Sequence, residues 1–351
     1  MRSCFDTVID VIHRAIDEQI FPCANIEIGN SKGTLFRYSA GYRRIRPDKL
    51  KADEETIFDM ASVTKVMTAT TVTLILVEKG ILALSDKMGQ FYDDIPDSSR
   101  DITVKHLLTH TSGIPGYLSI VGKNRDKIDM EILSLPPSYP KGTRVDYACL
   151  GFILLGRLLE RITGKSLDKL AKDLIFEPLS MKNTGFSPKG ENIASTAWDD
   201  TPIGVVNDYN ARYLGFPVGN AGLFSNLSDC ATFCRMLLNG GQLDGNRILS
   251  KQTILKAATN HTPSMDEARG LGFHMVSQGA GPVVELFSEA AFGHTGWTGT
   301  SIVIDPCLDL YVVLLTNRTH FNNHDADKMA RARRLIHNAV ISSTDKLSRE
   351  S

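Results

Sequence analysis

Apolar residues recur with two periods along the chain, and the changes of period mark where its elements begin and end. Phe5, Val8, Ile9, Ile12, Ala15 and Ile16 keep helical spacing, interspersed with Asp6, Asp10 and Asp17. Ala24 to Gly29 and Thr34 to Gly41 alternate with the strand period around the turn Asn30-Ser31-Lys32-Gly33, which predicts a hairpin. A second hairpin is predicted from Gly299 to Ile304 and Leu310 to Thr316, two β-branched runs around Asp305-Pro306-Cys307-Leu308-Asp309. Met329, Ala332, Leu335, Ile336, Ala339 and Val340 then predict a closing helix. Between these ends, from about Ser62 to Phe233, helical spacing dominates, at Val66 to Lys79, Val104 to Leu108, Gly151 to Ile162 and Ser166 to Leu174. Ser342 to Ser351 reads as a disordered tail.

The arrangement that buries these patterns is α+β: an antiparallel sheet built from both chain ends and flanked by helices, with a mainly helical inserted domain. The expected division is residues 1–61 and 234–351 for the sheet domain and 62–233 for the helical one. A length of 351 residues fits two such parts. Lys and Arg number 39 against 40 Asp and Glu, so no cationic excess marks a nucleic-acid partner, and 42% apolar residues exclude a disordered solvating chain. The longest stretches free of Asp, Glu, Lys and Arg, His106 to Gly122 and Tyr213 to Ser228, are broken by Gly and Pro and do not resemble membrane spans. Cys4, Cys23, Cys149, Cys230, Cys234 and Cys307 form no CxxC, which fits free thiols, and Cys230 and Cys234 read as buried packing one turn apart. With an N-terminus that reads as an amphipathic helix rather than a signal segment, the expected location is the cytoplasm.

Hydrolysis through a covalent acyl intermediate needs a nucleophile whose proton a positioned base can take, and Ser-x-x-Lys on a helix sets the two groups one turn apart. Four serines meet the spacing: Ser62, Ser138, Ser166 and Ser343. Ser138 precedes Tyr139-Pro140 in a loop, Ser343 lies in the polar tail, and Ser166 stands where a helix N-cap is expected. Ser62 instead leads into an apolar helix that would bury Lys65, and burial gives a lysine reason to lose its proton.

Phe58-Asp59-Met60-Ala61-Ser62-Val63-Thr64-Lys65 resembles the nucleophile motif of the serine β-lactamase and penicillin-binding-protein superfamily, in its class C-like branch with DD-peptidases and esterases. Leu107-Leu108-Thr109-His110-Thr111-Ser112-Gly113, Tyr147-Ala148-Cys149-Leu150-Gly151-Phe152, Phe176-Glu177-Pro178-Leu179, Ala221-Gly222-Leu223-Phe224-Ser225 and His294-Thr295-Gly296-Trp297-Thr298-Gly299-Thr300 follow in the family's order. The resemblance implies a β-lactamase/transpeptidase-like fold with its site between the two domains. It implies Ser62 as the acylated nucleophile, Lys65 as proton acceptor, Tyr147 as their partner and His294 in place of the lysine of Lys-Thr-Gly. It also implies an oxyanion hole from the backbone N–H groups of Ser62 and Trp297, with Cys149, Thr295, Gly296 and Trp297 against the substrate.

Two departures bear on the substrate. Tyr147-Ala148-Cys149 stands where β-lactamases and DD-peptidases carry Tyr-x-Asn, and a thiol poorly replaces an amide that both donates and accepts. His294 can donate, but carries full charge only below about 6.5. His110 is expected to be a structural turn residue, and Trp297 fits the acyl pocket and core packing equally. The expectation is a serine acyl hydrolase, esterase-like on small esters or amides. The alternatives are a β-lactamase or D-alanyl-D-alanine carboxypeptidase and, from another class, a non-catalytic ligand sensor. The expected partner is a small ester, amide or β-lactam, with no nucleic acid, membrane, cofactor or metal, and an open oligomeric state.

Overall fold

The computed structural model describes residues 4–199, 201–275, 285–322 and 324–350. The first helical pattern folds as α1, Asp6–Asp17, which buries Val8, Ile12 and Ala15. The hairpin follows as β1, Cys23–Gly29, and β2, Thr34–Arg44. Its turn closes as the sequence suggests, with Asn30 Oδ1 accepting from Lys32 N at 2.9 Å and Gly33 N at 3.1 Å. The main sheet is completed by β3, Leu50–Lys51, β4, His274–Met275, β5, Phe292–Thr295, β6, Ser301–Asp305, and β7, Leu310–Thr316. They form one antiparallel sheet in the order β3-β2-β1-β7-β6-β5-β4, in which the two chain ends meet at the β1–β7 pair, Ala24 opposite Thr316.

Four longer helices complete the frame: α2, Thr71–Glu78, α3, Cys149–Thr163, α4, Leu227–Leu238, and α5, Ala326–Glu350. β7 is apolar from Leu310 to Leu315 because both faces of the sheet are covered. Val312 and Leu314, with Ala24, Ile26 and Ile28, pack among α1 and α5 residues such as Ile12 and Ile336. Tyr311, Val313 and Leu315 face the helical body, with Cys230, Phe233 and Cys234 of α4. α4 runs unbroken through residue 233. The stretch Ala61–Glu78 is long and apolar enough to cross a bilayer, yet 83% of it is buried inside the protein, as suits a core helix.

Two local expectations are corrected. The tail expected from Ser342 continues α5 instead, because Ile336, Ala339, Val340 and Ser343 keep one buried face in register; Ser351 lies outside the described residues. Ser166 does occupy the N-cap position before the short helix Leu167–Ala171, but its hydroxyl caps nothing. Glu160 Oε1 takes the Leu167 N–H at 2.9 Å.

Candidate active site

Phe58 and Asp59 pair with Ser225 and Phe224 in a two-stranded ribbon, and the chain then turns sharply through Ala61–Val63. Ala61 has φ +44°, a conformation that costs a non-glycine residue of order 1 kcal/mol or more and needs support from its surroundings. Asp59 supplies it: Oδ1 accepts from Ala61 N at 2.8 Å and Oδ2 from Asn207 N at 2.7 Å. The β5–β6 turn braces the same segment, since Thr298 Oγ1 donates to Asp59 O at 2.7 Å and Thr300 Oγ1 to Met60 O at 3.1 Å. A Cβ on Gly296 would lie 2.6 Å from Met60 O and 2.1 Å from Thr300 Oγ1, so only glycine lets the turn approach this closely. Beyond Lys65 the helix opens into the wide turn Val66–Thr70, where Thr71 Oγ1 donates to Val66 O at 2.7 Å.

Ser62, Lys65 and Tyr147 come together here. Lys65 is fully buried, and its Nζ donates to Ser62 Oγ at 3.0 Å, to Asn220 O at 2.9 Å and to Cys149 Sγ at 3.6 Å. Three acceptors suit an ammonium. Burial pulls Lys65 down, but the Cys149 thiol and the Tyr147 phenol, as potential anions, carry it above its ordinary value. Burial thus acts on Lys65 in the direction read from the sequence, and these two neighbours oppose it. Burial pushes the Tyr147 phenol up, while Lys65, through its charge and a hydrogen bond, and Ser62, through a hydrogen bond, pull it back.

His110 holds Tyr147 in place. Its Nδ1 accepts from Ala148 N at 2.9 Å, its carbonyl accepts from Asp146 N at 2.9 Å, and its ring lies 4.5 Å from that of Tyr147. The Leu107–Gly113 segment is therefore a structural turn with a positioning task.

His294 is fully buried on β5, its ring 6.1 Å from that of Tyr147. Burial first, then His274, Lys65 and Arg269, push it well below its ordinary value. Nδ1 lies 2.7 Å from Thr295 O, which can only accept, so Nδ1 carries the proton and Nε2 is left as an acceptor without a partner among the described residues. In this arrangement His294 donates through Nδ1 to Thr295 O, and burial with the neighbouring cations favours the neutral ring, whose Nε2 can accept.

Behind Tyr147 lies a group that the sequence reading passed over. The Arg269 guanidinium, itself buried, stands 5.5 Å from the Tyr147 ring centre, and Glu267 binds both Arg269 Nη2 at 2.7 Å and His274 Nδ1 at 3.1 Å. Despite burial, His274 and Arg269 draw the Glu267 carboxyl down to about 2, and burial with Arg269 lowers His274 to about 4. The one sequence signal for this group was the charge of Arg269 just ahead of Gly270-Leu271-Gly272-Phe273.

A cavity of about 440 Å³ opens beside the nucleophile turn, lined by Ala61, Gly116, Tyr117, Tyr147, Cys149, Asn207, Asp208, Tyr209, Ala221 and Trp297. Of the residues expected against substrate, Cys149 and Trp297 line it. Trp297 is 55% exposed, which places it in the pocket rather than the core. Gly296 packs on the nucleophile turn, and Thr295 ends β5 half-buried.

Burial pushes the Asp59 carboxyl up to about 6. A folded value above the unfolded one means that Asp59 stabilises most below its ordinary range and loses roughly 3 kcal/mol of that as pH rises through 6. The Ala61 turn has the opposite need, because a protonated carboxyl no longer accepts on both oxygens. Activity should therefore fall below about pH 6, while stability does not follow it through this group. In kcat/KM profiles the acid limb should survive His294→Gln and flatten in Asp59→Asn. Loss of the limb in the His294 variant would contradict this.

The family model described as Beta-lactamase matches residues 8–337. An N-acetylmuramyl-L-alanine amidase of Bacillus subtilis (strain 168) is 32% identical over 316 residues, covering 78% of this chain and 70% of the relative. A protein of Escherichia coli (strain K12) named for D-alanyl-D-alanine carboxypeptidase activity is 28% identical, covering 91% of this chain and 84% of the relative. The solved structure of EstCE1, titled a hydrolase with promiscuous acyltransferase activity, superposes with TM-score 0.77 at 22% identity over 96% of this chain and 98% of that one. The sheet from both chain ends, the helical body and these matches agree with the α+β fold read from the sequence, and the chain belongs to the beta-lactamase family of serine hydrolases.

Proposed function

We propose that the protein hydrolyses small esters or amides through an acyl-enzyme on Ser62, with esters the better substrates. The observation that carries this is the Lys65 Nζ–Ser62 Oγ contact of 3.0 Å at the edge of a mainly apolar cavity. Ser62 Oγ attacks the carbonyl carbon while its proton passes to the Lys65–Tyr147 pair. One proton removed from that pair leaves either a neutral amine or a phenolate, and each is hydrogen-bonded to Ser62. The leaving group departs with the proton, and water then releases the acyl group by the reverse transfers. The Gly296 carbonyl accepts from Gly299 N at 3.0 Å, and the trans peptide turns the Trp297 N–H to the opposite side, which supports its pairing with Ser62 N–H as the oxyanion hole.

Cys149 supports esters over peptides. It lines the cavity beside Lys65, and its thiol, weak as donor and as acceptor, poorly replaces the amide that would pair with an acylamide. Cys149→Asn should therefore raise the rate on a chromogenic cephalosporin relative to a nitrophenyl ester roughly fivefold, the worth of one hydrogen bond at about 1 kcal/mol. A second reading, D-alanyl-D-alanine carboxypeptidase, is favoured by the names of the relatives in Escherichia and Salmonella. Short-chain nitrophenyl esters, a chromogenic cephalosporin and a D-Ala-D-Ala peptide compared side by side decide between them. Ester turnover should dominate, and peptide turnover above ester turnover would select the second reading.

A further inference from the structure

The cavity beside Ser62 carries a charge that acyl transfer does not use. Asp208 lines it with Tyr117, Tyr209 and Trp297, whose side chains stay 60%, 70% and 55% exposed. Large rings left in water around a concave wall mark a surface for a ligand. Asp208 Oδ1 accepts from Ala211 N at 2.8 Å, capping the short helix Tyr209–Leu214, and from Asn220 Nδ2 at 3.3 Å. Asparagine would cap equally well, so capping does not account for the negative charge. Both bonds end on Oδ1, which leaves Oδ2 unengaged among the described residues.

Two cations stand over rings of this wall, Arg212 at 5.5 Å from the Tyr209 ring centre and Arg318 at 4.3 Å from that of Trp297, each covering one ring face, and both are tied to backbone carbonyls. Arg212 Nε and Nη2 donate to Val206 O at 3.0 and 2.8 Å, and Arg318 Nε donates to Trp297 O at 2.6 Å. Lys65 donates to Ser62 and Asn220, and neither lysine nor arginine is among the lining residues. A carboxylate set among exposed aromatic faces is the chemistry that holds an organic ammonium, and it repels an anion. We propose that the substrate portion occupying this cavity is apolar and cationic: an ester or amide carrying an ammonium group several atoms from its carbonyl. This rests on the Ser62 hydrolase reading, and it disfavours substrates recognised by a carboxylate.

Three nitrophenyl esters of matched length test it: trimethylammonio-butanoate, its tert-butyl carbon isostere and the glutarate monoester. The expected order of kcat/KM is ammonium, isostere, glutarate. The ammonium-to-glutarate ratio should be roughly tenfold or more, shrink as salt is raised, and approach one in Asp208→Asn. The salt series on the unaltered enzyme keeps the test decisive should the variant fail to fold. A ratio of one or below, or a ratio indifferent to salt, overturns the inference while turnover of the isostere leaves the Ser62 reading standing. Turnover of none of the three overturns both.

Discussion

Ser62→Ala should reduce ester turnover roughly 10⁴-fold or more, because it removes the serine hydroxyl that Lys65 Nζ contacts at 3.0 Å beside the cavity for the acyl group. The side chain lost is small and half-buried, and of its partners Lys65 and Tyr147, Lys65 keeps its contact to Asn220 at 2.9 Å. The fold should therefore persist, with a melting temperature close to that of the unaltered protein. The three other serines with the same spacing to a lysine offer no substitute. Ser138 and Ser166 sit in a loop and at a helix start, and Ser343 is buried on α5. Residual turnover above the uncatalysed rate would then reflect binding and the oxyanion donors alone.

Lys65→Ala and Tyr147→Phe should each lower kcat by about 10² to 10⁴, the range expected for a positioned proton acceptor. Tyr147→Phe is the cleaner variant, because it keeps the ring that packs 4.5 Å from His110 and 5.5 Å from the Arg269 guanidinium, and removes only the hydroxyl. KM should change little in this variant, since the hydroxyl serves proton transfer rather than substrate binding. Because the two groups share one proton, the double variant should cost little more than the worse single one. Additive losses would mean that they act in separate steps. Near-normal rates in both single variants would remove the pair from the reaction.

The fold was legible where local pattern and burial agree. α1, the first hairpin, β7 and α5 follow directly from periodicity, because each has one continuous buried face or, for β1 and β7, two. The end of α5 was missed because Ser342 to Ser351 is polar by composition, although Ser343 continues the buried face. The candidate site was legible as residue types at the right spacing: Ser62, Lys65, Tyr147, Cys149 and His294, from three distant stretches, lie together in the structure. Their charge states were not legible. Whether Lys65 is an ammonium depends on Asn220 O and Cys149 Sγ, contributed from far along the chain, and His294 is neutral because His274 and Arg269 share its buried surroundings. Asp59 was present in the motif without a role, since nothing local shows that both its oxygens hold backbone N–H groups 2 and 148 residues away. Asp208 was passed over for the same reason: its place in the cavity wall follows from tertiary packing alone.

The most direct measurement is the mass of the intact protein after reaction with a nitrophenyl phosphonate, followed by peptide mapping of the adduct. A single phosphonyl group on the peptide containing Ser62, absent from Ser62→Ala and strongly slowed in Tyr147→Phe, is the expected result. An adduct on another residue, or one that forms at the same rate in Ser62→Ala, would contradict the assignment of Ser62 as the nucleophile.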